Sequence, residues 1–142
     1  LSKHPNIVAT KEANGDIISI AKTRHLCGDA LDIYSGDDDQ IVPILALGGI
    51  GVISVLSNIL PKETHDICQL FFDGKIKESS DLQISMIDTI GALFCDVNPI
   101  PVKAALNMMG WNVGGCRMPL CDTTPENLAR IEGQLKRHGL VK

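Results

Sequence analysis

The chain has 142 residues, of which 44% are hydrophobic and 21% charged, so a disordered chain is not expected. The formal net charge is −4 and the 13 Lys and Arg residues form no basic stripe, which argues against a nucleic-acid or anionic-membrane surface. No apolar run reaches the roughly 20 residues that a membrane-spanning helix needs.

The first 75 residues alternate short β-branched segments with segments of helical periodicity. The predicted strands are 6–11, 31–35 and 51–55, and each is followed by a helix, at 16–27, 38–47 and 61–73. Gly48-Gly49-Ile50-Gly51 precedes a strand, whereas a phosphate-binding loop must follow one. We therefore interpret these glycines as a helix stop and a tight entry into the third strand.

After residue 75 the strand signals end and only helices are predicted, near 76–95, 99–109 and 124–138. The sequence thus predicts an α/β region at 1–75, with three βα units, and a helical region at 76–142. Three such units are typical of part of a flavodoxin-like sheet or of the end of a (β/α)8 barrel. Because the chain starts at Leu1 without Met, we expect a longer protein.

Lys11 ends the first predicted strand and is the main candidate for chemistry. In parallel α/β folds the C-terminal strand ends carry the active site. A lysine pointing into a barrel mouth would be partly desolvated, which favours the free amine that can attack a ketone. The alternative is a surface lysine at a strand end. Glu12 should point to the opposite face and receives no catalytic role.

Ser35-Gly36-Asp37-Asp38-Asp39 follows the second predicted strand. Gly36 would let the backbone approach a ligand closely. The aspartates could bind a hard cation, but capping of the following helix is the favoured interpretation.

No metal or cofactor is predicted. The five cysteines show no C-x-x-C spacing, and the closest pair, Cys116 and Cys121, has no His nearby, so a zinc site is not expected. The four histidines show no ligand spacing and are predicted to be solvated. Free cysteines are typical of a reducing cytosol, which predicts a cytoplasmic protein.

Several segments together resemble the dihydrodipicolinate synthase and N-acetylneuraminate lyase superfamily. They are Ile7-Val-Ala-Thr-Lys11-Glu-Ala13, Tyr34-Ser-Gly36-Asp-Asp38, Leu45-Ala-Leu-Gly-Gly-Ile-Gly-Val-Ile53, Asn98-Pro-Ile-Pro-Val-Lys-Ala-Ala-Leu106 and Arg117-Met-Pro-Leu120. The last two segments favour the synthase branch over the sugar-acid lyases. The resemblance implies strands 6–8 of a (β/α)8 TIM barrel followed by a C-terminal helical extension.

The resemblance also implies a reaction. Lys11 would form a Schiff base with pyruvate for condensation with aspartate semialdehyde, and Gly36 and the backbone carbonyl of Ile53 would line the pyruvate pocket. The family's proton relay and its carboxylate-binding arginine have no counterpart here, so this chain alone should be nearly inactive. A related sugar-acid lyase and a non-catalytic assembly module remain alternatives.

An incomplete barrel leaves strand edges and inner side chains open. The inner apolar residues are predicted to include Ile7, Ala9, Ile33 and Val52. We therefore expect a homo-oligomer, whereas the resemblance implies a tetramer for the full-length family members.

Overall fold

The structure is a computed structural model that describes all 142 residues. The chain divides into two compact units, a first unit of residues 1–54 and 62–84 and a second unit of residues 55–61 and 85–142. The elements in chain order are β1 (Ala9–Glu12), α1 (Ile17–Cys27), β2 (Asp32–Ser35), α2 (Ile41–Ala46), β3 (Gly51–Val52), α3 (Pro61–Phe72), α4 (Ile76–Ser85), α5 (Ile87–Leu93), α6 (Ile100–Met108) and α7 (Pro125–Arg137), with 3-10 turns at Gly28–Ala30, Asp38–Gln40 and Leu56–Asn58. No helix is both long enough and apolar enough to span a membrane.

The first unit contains a parallel sheet in the order β1-β2-β3, which confirms the α/β class. All three strands are shorter than predicted, β2 by only one residue. β1 starts at Ala9 because the preceding residues form turns, with the Ile7 amide donating to the His4 carbonyl at 3.0 Å. β3 comprises only Gly51 and Val52, since the chain turns soon afterwards into the 3-10 turn Leu56–Asn58.

Helix α1 forms where the sequence predicts it because both ends have local signals. The Asp16 carboxylate accepts hydrogen bonds from the Ile18 and Ser19 amides, and Gly28 ends the helix with a φ of +56°. Ile20 of α1 then packs with Ile33 of β2 and other buried residues. This core consists of Ile20, Ile33 and Ile44, with Leu47 packed against it.

The burial of Ile33 corrects the predicted list of inner residues. Ile33 is 1% exposed and belongs to the helix-covered face. Val52 pairs with Ser35, two residues after Ile33, and so lies on that covered face as well. Ala9, in contrast, pairs with the exposed Asp32 on the uncovered face. The prediction was wrong for Ile33 and Val52, because the sequence alone does not say which side of an apolar strand the helices cover.

The glycines between α2 and β3 act as the sequence predicts. Gly48 has a φ of +88°, and its amide donates to the Leu45 carbonyl at 3.0 Å. A Cβ atom on Gly49 would lie 2.7 Å from Cγ2 of Ile44 and 2.8 Å from its carbonyl oxygen. Both positions therefore require glycine for a tight helix stop, which leads directly into β3.

The predicted single helix at 76–95 is wrong, because α4 ends at Ser85 and α5 begins at Ile87. The break at Met86 coincides with the change from the first compact unit to the second. Periodicity continues across the break, so the local pattern contains no stop signal. The division into regions 1–75 and 76–142 stays a prediction.

The second unit is a cluster of α5, α6 and α7 around the 3-10 turn Leu56–Asn58. α7 begins as predicted, with Thr124 Oγ1 accepting from the Asn127 amide at 3.3 Å and Pro125 in the first turn. Its buried residues Ile131 and Leu135 form the contact face.

His138 contradicts the prediction that every histidine is solvated. Its Nε2 atom lies 2.8 Å from Oγ1 of Thr89, a hydroxyl in a residue only 1% exposed. The same hydroxyl lies 3.0 Å from Oε1 of Gln134. These contacts join the C-terminal end of α7 to the buried face of α5.

Asp96 connects the α5–α6 segment to the start of α7. Its Oδ2 accepts from Oγ1 of Thr123 at 2.7 Å and its Oδ1 accepts from the Val97 amide at 2.7 Å. These hydrogen bonds, that of Thr123 first, lower the pKa of the Asp96 carboxyl.

Replacing Asp96 should change how stability depends on pH. Because its native pKa is lowered, the carboxylate stabilises the fold above its unfolded pKa of about 3.9, and this contribution disappears as the pH falls through the native value. Asp96→Asn should therefore unfold at lower urea concentration than the unsubstituted chain at pH 7, and the difference should shrink progressively as the pH falls below the unfolded pKa of about 3.9. Asp122→Asn, which removes an exposed carboxylate with the same charge, should show a smaller shift. An equal shift for both variants at pH 7 would contradict the role of these hydrogen bonds.

Candidate active site

The three residues that the sequence analysis selects meet at the C-terminal ends of the parallel strands. Lys11 pairs with Tyr34, and Tyr34 pairs with Gly51. Paired residues of parallel strands project to the same face, and every second residue along a strand returns to it. Gly36 follows Tyr34 by two positions and Ile53 follows Gly51 by two. Lys11, Gly36 and Ile53 therefore lie together on the face opposite the Ile20–Ile33–Ile44 core.

Gly36 is held directly against Lys11. Its amide donates to the Glu12 carbonyl at 2.6 Å, which continues the ladder between β1 and β2. A Cβ atom on Gly36 would lie 2.6 Å from the Ala13 Cβ and 2.8 Å from the Lys11 Cε. The position requires glycine for steric reasons, because the aliphatic part of Lys11 occupies the space of a side chain.

Ile53 is placed by the same ladder on the other side of β2. Its amide donates to the Ser35 carbonyl at 2.8 Å, and its side chain is 50% exposed. Between Lys11 and Ile53 lies Tyr34, which the sequence analysis did not select. A Cβ atom on Gly51 would come within 3.4 Å of the Tyr34 ring. The position of Tyr34 two residues before Gly36 would have predicted that they share a face.

The loop after β2 and the loop after β1 are bound to each other behind Lys11. Nε2 of Gln40 donates to the Gly15 carbonyl at 3.1 Å, and the Gly15 backbone also lies close enough to the Asp37 carboxyl to lower its pKa. Burial raises the pKa of the Asp37 carboxyl, and the nearby Asp39 raises it further. The two loops thus form one wall beside the lysine.

Asp37, just before the 3-10 turn, and Gln40, just before α2, make no side-chain capping hydrogen bond, so capping by Asp37 is not confirmed. The Val42 amide, near the start of α2, instead donates to Oε1 of Gln83 on α4 at 2.7 Å. The chain contains no group of three or more His, Cys, Asp or Glu side chains placed to hold a metal ion.

Lys11 itself is exposed, so these 142 residues do not bury its side chain as a barrel mouth is expected to. Glu12 lies on the other face of β1, as predicted, and its carboxylate accepts from Oγ1 of Thr10 at 3.3 Å and from Nδ2 of Asn14 at 3.1 Å. The site therefore offers one accessible primary amine beside a side-chain-free backbone at Gly36. Chemically, this arrangement suits nucleophilic attack on a small carbonyl compound.

Residues 1–138 match the family model described as the dihydrodipicolinate synthetase family. The 4-hydroxy-tetrahydrodipicolinate synthase of Clostridium perfringens (strain SM101 / Type A) is 54% identical over 137 residues, which are 96% of this chain and 47% of that protein. The dihydrodipicolinate synthase of Thermotoga maritima superposes with a TM-score of 0.94 at 38% identity, over 99% of this chain and 48% of that one. The enzyme of Acinetobacter baumannii, whose structure is a complex with pyruvate, superposes with a TM-score of 0.92 at 33% identity, over 99% and 48%.

The fold and the site define an α/β protein with a partial parallel sheet and a lysine at the C-terminal strand ends. With the family match over nearly its whole length, the chain belongs to the dihydrodipicolinate synthetase family. It spans about half the length of the relatives that it matches.

The close contact at Gly36 predicts a loss of stability when a methyl group is added there. Gly36→Ala places Cβ inside the space of Ala13 and Lys11, and such overpacking costs roughly 1–3 kcal/mol of unfolding free energy. Gly133→Ala adds the same group in α7, where nothing lies within 4 Å, and should stabilise by roughly 0.5–1 kcal/mol. Urea unfolding curves of both variants measure the difference. If the unfolding curve of Gly36→Ala coincides with that of the unsubstituted chain, Ala13 and Lys11 do not restrict the side chain at residue 36.

Proposed function

We propose that this chain carries the Schiff-base lysine of a 4-hydroxy-tetrahydrodipicolinate synthase, a lyase of lysine and diaminopimelate biosynthesis, and that Lys11 is that lysine. One observation carries the proposal. Lys11 lies at a C-terminal strand end with its stem against Gly36, on a chain 54% identical to such a synthase. The strand pattern suits strands 6–8 of a (β/α)8 barrel, whose active site lies at that end.

In the proposed reaction the Lys11 amine attacks the ketone carbon of pyruvate, and water leaves to give an imine. The protonated imine withdraws electrons, so the methyl group of pyruvate can lose a proton and form an enamine. The enamine carbon then attacks the aldehyde carbon of aspartate semialdehyde, and the new carbon–carbon bond forms. Attack of the substrate amino group on the imine releases Lys11 and closes the ring. Covalent catalysis divides one difficult deprotonation into easier steps.

Gly36 and Ile53 support the binding of pyruvate in this proposal. The missing side chain at Gly36 leaves backbone beside the Lys11 amine, where the carboxylate of a small keto acid would fit. Ile53 would contribute its backbone carbonyl from the neighbouring strand end. The Acinetobacter baumannii relative in complex with pyruvate, of which this chain matches 48%, supports this choice of substrate.

The site on this chain supplies the nucleophile and lacks a complete set of acid–base groups. The family's proton relay and carboxylate-binding arginine match no residue here, and general acid–base groups each contribute typically 10²- to 10⁴-fold. We therefore propose that these 142 residues alone turn over very slowly. Five free cysteines support a location in the reducing cytoplasm.

Trapping with borohydride tests the role of Lys11. The protein expressed from its complete reading frame, treated with pyruvate and sodium borohydride, should gain one reduced pyruvyl group on the peptide that contains Lys11. Lys11→Arg keeps the charge but cannot form the imine at neutral pH, and should abolish the adduct. Lys22→Arg, on α1, should leave it unchanged. A pyruvyl group that remains after Lys11→Arg, or one located on another lysine, refutes the proposed function.

The uncovered sheet face predicts self-association of the 142-residue chain. Exposed apolar surface costs about 25 cal/mol per Å², and on this face it comes from Ala9, Tyr34 and Ile53, since Ile33 and Val52 lie on the covered face. Pairing of two such faces would bury that surface, and we propose a tetramer for the full-length protein. Sedimentation equilibrium at micromolar concentration should show a dimer or a larger species.

Two lysine substitutions locate the contact. Ile53→Lys, at a residue 50% exposed on the open face, should shift the chain towards the monomer. Phe72→Lys, at a residue 54% exposed in α3, should not. A strictly monomeric, folded 15.3 kDa chain would contradict the prediction.

A further inference from the structure

Gln83 joins α4 to the loop that carries Gly36. Its Oε1 accepts from the Val42 amide at 2.7 Å, and its Nε2 donates to the Asp39 carbonyl at 2.6 Å. The side chain is nearly buried, with an exposed fraction of 6%. The oxygen and the nitrogen of the Gln83 side-chain amide thus both bond to backbone groups, which lie 41 and 44 residues away in the chain.

The two backbone groups lie at the junction between the 3-10 turn Asp38–Gln40 and the N-terminus of α2. The first amides of a helix have no partner within the helix, and α2 is six residues long, with Pro43 in its first turn. No side chain at its N-terminus caps it. Gln83 therefore replaces the missing cap and also fixes the preceding 3-10 turn through Asp39.

The same short segment bounds the candidate active site. Gln40, at the end of the 3-10 turn, donates through Nε2 to the Gly15 carbonyl at 3.1 Å. Gly36 lies two residues before this 3-10 turn, and the Lys11 stem occupies the space that a side chain at residue 36 would need. The segment 36–42 is thus bound on one side by the loop after β1 and on the other side by Gln83.

We propose that Gln83 is a positioning residue for Lys11, which acts through the backbone of segment 36–42 and touches no substrate. The inference rests on the proposed function of Lys11 and extends it to a residue on α4. Without the Gln83 amide, the Val42 and Asp39 backbone groups lose their partner, and the segment can move away from α4. Gly36 moves with it, so the wall beside the Lys11 amine no longer has one fixed position.

Hydrogen exchange tests the first step of this chain of contacts. In the protein expressed from its complete reading frame, Gln83→Leu removes both hydrogen bonds at similar size and should accelerate amide exchange in the 36–46 peptide. Gln83→Glu keeps an acceptor for the Val42 amide but offers no donor to Asp39, and should give an intermediate rate. Ser79→Ala is the matched control, since Ser79 is fully buried on α4 and its Oγ donates to the Ile67 carbonyl at 2.7 Å. Unchanged exchange in Gln83→Leu overturns the inference.

Borohydride trapping tests the second step. At saturating pyruvate, and well below the unfolding temperature of each variant, Gln83→Leu should lower the trapping rate at Lys11 about tenfold, because displacements near 1 Å can cost up to a hundredfold. Gln83→Glu should recover part of the rate, and Ser79→Ala should keep the full rate even if it lowers the unfolding temperature equally.

The possible failures are distinguishable. Equal trapping rates in Gln83→Leu and Ser79→Ala overturn the positioning role and leave the proposed function intact. If the unsubstituted protein forms no pyruvyl adduct on Lys11, the proposed function is refuted and the inference with it.

Discussion

The register between β1 and β2 is the constraint on which the candidate site depends. Lys11 pairs with Tyr34, and the next ladder bond, from the Gly36 amide to the Glu12 carbonyl, is 2.6 Å long. A slip of one residue would turn Lys11 to the helix-covered face. Ile33, buried with Ile20 and Ile44, fixes which face of β2 the helices cover, and the ladder bonds between β1 and β2 fix Lys11 relative to it. The apolar core on one face thus fixes the position of the amine on the other.

Glycine makes the site possible at this register. The Lys11 stem fills the space where a side chain at residue 36 would lie. The lysine therefore packs directly against the backbone of Gly36. The surrounding loop gains its order from polar contacts on both sides, those of Gly15 and those of Gln83. In the proposed reaction this arrangement would keep the reacting amine in place while the covalent intermediates change shape.

The two faces of the sheet differ because only one is covered. Along β2, Asp32 is exposed and Tyr34 half-buried, whereas Ile33 and Ser35 are buried. The side that holds Lys11 is the accessible side, and the solved relatives that superpose on this chain are about twice its length. The proposed strands 6–8 of a barrel would place this accessible face inside the barrel, where closure would remove the lysine from bulk water.

The sequence by itself determined the features that depend on neighbouring residues. Asp16 and Gly28 bound α1, Thr124 and Pro125 start α7, and the glycines before β3 end α2, because caps and turns use groups a few residues apart. The strand-end positions of Lys11 and Gly36 and the family resemblance could be predicted for the same reason.

The tertiary structure alone decided the features that depend on groups far apart in the chain. Packing between segments far apart in the chain decides which side of the sheet Ile33 faces and where α4 breaks from α5. It also decides the contact of His138 with Thr89 and the capping of α2 by Gln83. No local pattern encodes such contacts. Which face of a strand is buried, and which distant group caps a helix, depend on the element that packs against it.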